Sequence, residues 1–163
     1  MGMRTGLAPL SAAQLAALRE APDDIAAIVY ARDDGARKRQ IDLDKSWHGI
    51  HWLLTGEAWG GEPPLAWAIA GAEEIGDDMG YGPARLVTPE QVRQLAAALA
   101  LLDDAELARR YDPAAMDAAK IYPTIWERDG QEGLDYLVHY FRILVKFYAE
   151  AAARGDAVLQ WIS

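Results

Sequence analysis

The sequence predicts an α+β fold: a single helix-dominated domain over residues 1–163, with a small sheet, a long C-terminal helix and a terminal strand after it. Three observations carry that expectation. Gln131 to Arg154 sustains two adjoining apolar stripes at helical spacing. Helix starts are marked by reciprocal capping pairs, Ser11 with Gln14 and Thr88 with Gln91. The strand-like runs, Ala84 to Val87 and Ala157 to Ile162, are short and far apart, so any sheet must be assembled from distant segments. A chain of 163 residues, 52% hydrophobic and 25% charged, can fill one core and is not a disordered composition.

Along the chain, Met3 to Leu10 reads as a short extended segment despite poor alternation. Ser11 then opens a helix striped by Leu15 and Leu18 and ended by Ala21-Pro22, and a shorter helix follows through Ile25, Ile28 and Val29. Asp33-Asp34-Gly35 reads as a turn, and Arg37-Lys38-Arg39 as a solvated basic loop. Gln40 to Leu43 reads as an edge strand. Asp44 is expected to cap a helix over Lys45 to Thr55, stopped by Gly56. Trp47, Ile50, His51 and Leu54 share one face of that helix, with Trp52 and Leu53 on either side, so it is expected to be buried.

A Gly- and Pro-rich loop from Trp59 to Pro64 leads to a short helix over Leu65 to Ala72, and Gly76 to Pro83 reads as a second Gly-rich loop. After the strand Ala84 to Val87, Thr88-Pro89 starts a helix carrying Val92, Leu95, Leu99 and Leu102. Asp104 and Asp112 are expected to cap two more short helices, and Ile121-Tyr122-Pro123 to be extended ahead of the long helix. Only His139, Arg142, Lys146 and Glu150 form a polar arc on that helix, which Gly155 ends.

Several functions are excluded by composition. Cysteine is absent, which removes disulfides, thiolate metal sites and cysteine nucleophiles. A formal charge of −9 opposes nucleic acid and anionic membranes as partners, whose binding rests on neutralising phosphates. No apolar run approaches the roughly 20 residues that span a bilayer, and the opening residues lack a signal-peptide core, so a cytoplasmic location is expected. The arginine-over-lysine and alanine bias matches a GC-rich bacterial genome.

Motifs for cofactor or phosphate binding fail. Gly80-Tyr81-Gly82-Pro83-Ala84-Arg85 ends in arginine where a dinucleotide turn needs glycine, and no Walker-type Gly-Lys-Ser/Thr or Gly-x-Ser-x-Gly elbow exists. No cofactor is therefore expected. His48 and His51 lie one turn apart and could share a metal, but the commoner reading is a partly buried His51 donating to a backbone carbonyl, and no metal is assigned. Most Asp-Asp pairs sit where caps are needed; Asp77-Asp78 has no capping reason and reads as a solvated loop rather than an acid–base pair. Trp47, Trp52 and Trp67 read as core, whereas Trp59 and Trp126 sit beside glycine, proline or charged residues, where either a ligand site or a plugged loop fits.

Asp42-Leu43-Asp44-Lys45 leading to Trp47, then His51 and Leu53-Leu54-Thr55-Gly56, resembles the signature of the YfbM-like bacterial proteins, the family of domain of unknown function 1877. The Met1-Gly2-Met3 start, Pro64-Leu65, Ile121-Tyr122-Pro123 and the long helix with its terminal strand fit the same family over essentially the whole chain. The resemblance implies a small α+β bacterial protein and no particular activity. It also makes His48 a variable position, which weakens a His48/His51 metal pair.

Two functional expectations follow. The first is a non-enzymatic binding or interaction module, in one version an acidic protein that neutralises a basic partner such as a toxin. The second is a small-molecule sensor or enzyme with a pocket around His51, lined by Asp44, Trp47, His51, Trp59, Tyr81, Tyr122 and Trp126. A competing reading makes His51, Trp47 and Tyr122 one closed core cluster.

Overall fold

The computed structural model describes residues 2–31 and 33–163; Met1 of the opening motif lies outside them. Strands β1 (Thr5–Leu10), β2 (Ile41–Asp42), β3 (Glu73–Asp78), β4 (Pro83–Val87) and β5 (Ala157–Ile162) form one antiparallel sheet in the order β2-β1-β5-β4-β3. The last strand in sequence is therefore the central one. Its first five residues are all buried, as a strand covered on both faces requires.

On one face lie α1 (Ala12–Glu20), a 3₁₀ turn (Pro22–Asp24) and α2 (Ile25–Val29), which bury Leu18 and Ile25 against Ala8, Leu10, Ala84, Leu86 and Leu159. The other face carries the larger core, built from α4 (Trp47–Thr55), α5 (Trp67–Ala70), α6 (Pro89–Ala100) and α10 (Gln131–Arg154). Between them in sequence are α3 (Asp34–Arg39), α7 (Asp104–Arg110), α8 (Pro113–Ala118) and α9 (Trp126–Asp129). The molecule is an α+β fold with a long C-terminal helix and a terminal central strand.

Local chemistry explains most boundaries. Both capping boxes form: the Ser11 and Thr88 hydroxyls accept from Gln14 and Gln91 amides, and each glutamine side chain returns the bond. Helix α10 spans the 24 residues of the two-stripe pattern and ends at Gly155 in the left-handed conformation. Leu134, Leu137, Phe141, Leu144, Phe147 and Tyr148 are buried along it, while His139, Arg142, Lys146 and Glu150 face solvent. It packs chiefly on α6, with α4, α7 and α9 beside it, and meets the sheet at β2 and through Tyr148 at β5.

Five local expectations need correction. Asp33 caps α3 by accepting from Gly35 and Ala36, so the basic triplet is the last turn of a helix, where cations suit the dipole, and not a loop. Asp44 does not cap α4: it sits at φ 51, its carboxylate accepts from the Tyr136 hydroxyl at 2.8 Å, and the helix starts after Ser46. Residues Glu73 to Asp78 form a strand, although only Ile75 among them is buried. Asp103 rather than Asp104 caps α7. Ile121 to Thr124 is a tight turn, closed by the Thr124 amide on the Ile121 carbonyl at 2.8 Å, not an extended run.

Where α4 meets α10 and α9, the chain needs a residue without a side chain. A Cβ on Gly49 would lie 2.7 Å from a Leu137 methyl and 2.8 Å from the Trp126 ring. We expect Gly49→Ala to lower unfolding stability by roughly 1–2 kcal/mol, because overpacking costs about 1–3 kcal/mol and outweighs the gain of up to about 1 kcal/mol in helix propensity. Urea denaturation checks this; equal or greater stability would mean the close crossing is absent.

Candidate functional site

Strands β4 and β5 pair only at Arg85–Gln160, Leu86–Leu159 and Val87–Val158. Ala84 and Pro83 pair with β3 alone, so this ladder stops at Arg85 while β5 continues along β1 to Thr5–Ile162. A cavity of about 260 Å³ lies where the two strands part. Its walls come from α4 (Trp47, His48, His51), the following loop (Ala58, Trp59), α5 (Ile69, Ala70), the β3–β4 turn (Tyr81, Gly82), β4 (Pro83, Arg85), β5 (Gln160, Trp161, Ile162) and Met3.

Gln160 is 1% exposed in the middle of β5. Its Nε2 donates to the Trp67 and Ala68 carbonyls, each at 2.8 Å, and lies 2.7 Å from the Tyr148 hydroxyl, which itself donates to Ala68 at 2.9 Å. Two carbonyls facing the amide nitrogen fix its orientation, since a reversed amide would set oxygen against oxygen. Oε1 is therefore turned away from these partners, and it has no hydrogen-bond partner. Gly71 at φ 59 makes room beside it: a Cβ there would lie 3.0 Å from Oε1 and 2.5 Å from Arg85 Cβ.

The two neighbouring histidines differ sharply. His48 Nδ1 accepts from the Tyr122 amide at 2.9 Å and Nε2 bonds the Ala58 carbonyl at 2.8 Å. That pattern requires a neutral ring protonated at Nε2. Burial is the main cause lowering its pKa, and its bond to Ala58 opposes the shift. The ring stacks on Trp47 at 4.9 Å and lies 4.5 Å from Trp59, so His48 is a structural rivet between α4, the loop after it and the Tyr122 turn. His51 is 2% exposed and neither ring nitrogen has a hydrogen-bond partner. Burial, then the nearby His48, pushes its pKa down to about 4; the Gly60 backbone opposes the shift without reaching hydrogen-bond geometry. At neutral pH His51 thus holds one unpaired N–H donor and one unpaired nitrogen acceptor.

Trp59 and Tyr81 flank the cavity on two different loops and stay 65% and 56% exposed. Asp78 shapes the second loop, its carboxylate accepting from Gly80 at 2.6 Å and Gly82 at 3.3 Å. The Asp77-Asp78 pair thereby has a turn-forming reason that the sequence alone did not show. Arg85 contributes the one formal charge among the described lining residues, and it is bridged to Glu74 at 2.8 Å.

Of the seven residues expected around a pocket, Trp47, His51, Trp59 and Tyr81 line this cavity and three do not. Asp44 is held by Tyr136 and Arg4 near the β1–β2 end. Tyr122 stacks on Trp47 at 5.8 Å, and its hydroxyl accepts from the Met3 amide at 3.0 Å. Trp126 is fully buried at the start of α9, its indole donating to the Ile121 carbonyl at 2.8 Å, so the polar sequence around it conceals a core anchor. Gln160 and Arg85 escaped sequence reasoning as lining residues, and His48 entered it only as a metal partner for His51. A lone glutamine flanked by apolar residues of a buried strand was the available signal for the first. Among the described residues, no three His, Asp or Glu side chains gather as a metal site, and no helix is long and apolar enough to cross a membrane.

Comparison with known proteins gives a family but no activity. No curated protein matches the sequence. Among solved structures, the crystal structure of YfbM from Escherichia coli, a protein of unknown function, is similar with a TM-score of 0.78 and 22% identity, covering 98% of this chain and 99% of that one. At that identity the likeness is one of fold. The model of the family described as "Domain of unknown function (DUF1877)" matches residues 1–161, and the chain belongs to that family.

Proposed function

We propose that the protein is a non-enzymatic module that binds a small molecule in the cavity between α4, β5 and the β3–β4 turn. The observation that carries this reading is the pair of buried, unpartnered polar side chains in one cavity wall: His51 with both ring nitrogens and Gln160 with Oε1. Leaving a buried polar atom unpaired costs about 1–3 kcal/mol, so such atoms beside a cavity mark where a binding partner belongs. The volume of about 260 Å³ falls just below the range of roughly 300–1,000 Å³ typical of drug-sized ligand sites, which suits a compact molecule.

Binding rather than catalysis fits the chemistry of the wall. Among the described residues it holds two neutral imidazoles, a clamped amide and an ion-paired guanidinium, with no carboxylate to complete an acid–base pair. Neutralisation of a basic protein or toxin draws only on the charge of −9, and no other feature of the molecule favours it.

Thermal-shift screening of a metabolite library against wild type, His51→Ala and Tyr81→Ala tests the proposal. A ligand at 100 times its Kd adds about 2.7 kcal/mol, which raises Tm by several degrees, and the shift is expected to vanish or fall sharply in both variants. A library without effect on wild type, or shifts retained in both variants, would overturn it.

The same neutral imidazole predicts a pH dependence. His51 titrates at its ordinary value of 6.5 when unfolded but near 4 when folded, so the unfolded state binds more protons in that window and stability falls as pH falls through it. Wild type is expected to lose roughly 3 kcal/mol more than His51→Gln between about pH 7 and about pH 4, measured by urea denaturation. Parallel pH profiles would show that His51 is not buried as a neutral ring.

A further inference from the structure

We propose that the groove between α3 and α10 docks a short acidic segment of a partner protein. The carrying observation is where unpaired cations gather. Among the described residues, Arg37, Lys38, Arg39, Lys45 and Lys120 are the lysines and arginines that make no ion pair with a carboxylate. Three of these five are consecutive and exposed in the last turn of α3. The chain has 25 Asp and Glu against 16 Lys and Arg, so carboxylate partners are plentiful, yet this turn holds adjacent like charges that repel one another. The carbonyl end of α3 favours their sign and leaves their outer donors open.

Lys38 and Arg39 also line a groove of about 300 Å³, whose opposite side is α10 with Lys146 and Arg154. The less exposed Ile41, Ile143 and Phe147 complete its apolar lining. Glu150 is the one carboxylate among the described lining residues, 3.9 Å from Lys146, and Arg154 is tied to Asp156 at 2.7 Å. Four cations against one carboxylate select an anionic occupant, and the apolar lining gives that occupant a place for an aliphatic side chain. Ile143 to Arg154 covers about 16 Å of helix axis at the usual rise. An extended chain of about five residues has that length.

The extent of the patch decides which anion fits. A small anion needs donors converging on one point, whereas these cations are spread along two helices. A polynucleotide or an anionic bilayer reaches far past the groove and meets the rest of a surface whose net charge is −9. A five-residue segment stays in the groove, where charges within a Debye length of about 8 Å dominate. None of the described groove residues lines the cavity beside Gln160, so this docking stands apart from the small-molecule reading.

Titration of isotope-labelled protein with the end-blocked peptide Asp-Glu-Leu-Asp-Glu, followed by amide chemical shifts at neutral pH and low salt, tests the proposal. The shifts are expected to saturate and to centre on Lys38 to Ile41 and on Ile143 to Arg154, with Asn-Gln-Leu-Asn-Gln at least about tenfold weaker. Lys38→Glu combined with Arg39→Glu, both exposed positions, is expected to weaken the acidic peptide about tenfold or more. An unchanged amide spectrum away from the groove reports that this variant is folded. Lys120→Glu, which reverses an exposed and unpaired cation outside the groove, is expected to leave binding unchanged. Absence of saturable shifts, equal binding of the neutral peptide, or full binding by the double variant would overturn the proposal. Binding to phosphatidylserine vesicles or single-stranded DNA that exceeds peptide binding and is lost in the double variant would overturn it in favour of another polyanion. A dimer of the wild type in sedimentation, lost in the double variant, would overturn it in favour of a second copy of the chain.

Discussion

Gln160 is the constraint around which the rest is arranged. A primary amide in the central strand of a sheet is costly unless its hydrogen bonds are met, and here Nε2 is met by two carbonyls at the start of α5 and by the Tyr148 hydroxyl of α10. One side chain thus ties the sheet to a short helix and to the long one. Tyr148 is fully buried and its phenol is held well above its ordinary pKa by that burial, so it remains a neutral donor to Ala68. The clamp satisfies half of the amide. The other half, Oε1, is among the buried polar atoms that the protein itself leaves unmet.

The cavity follows from two neighbouring features of the backbone. The β4–β5 ladder ends at the Arg85–Gln160 pair, and Gly71 keeps a Cβ out of the space beside the Gln160 oxygen. Above this gap, α4 supplies His48 and His51 in consecutive turns with opposite fates. His48 is spent on holding the Ala58 and Tyr122 backbones together; His51 is spent on nothing within the protein. The difference lies in their neighbours, since only His48 faces two backbone groups at hydrogen-bonding distance.

Much of the fold was legible because its signals are local. The 24-residue helix α10 and β5 match their expected bounds, since two apolar stripes, a Gly155 stop and a final apolar run leave little choice. Strand β3 was hidden: Glu73-Glu74-Ile75-Gly76-Asp77-Asp78 is an edge strand with one buried residue and a register shift after Ile75, so its pairing with β4 outweighs an unfavourable local sequence. Trp126 was misplaced because its neighbours are polar, while its ring packs against Gly49 of α4, distant in sequence, as well as Gly133 of the helix that follows it. Around the cavity, glycine-flanked aromatics pointed to Trp59 and Tyr81, and helical phase pointed to His51. Gln160 joins them only through the sheet register, which no local pattern encodes.

A high-resolution crystal structure of the protein soaked with the compound that gives the largest thermal shift addresses the central claim most directly. The account predicts electron density for that compound in the cavity, with polar atoms within hydrogen-bond distance of His51 or of Gln160 Oε1. A cavity closed by its own side chains, with His51 bonded to the Gly60 backbone and Oε1 to another protein group, would contradict it.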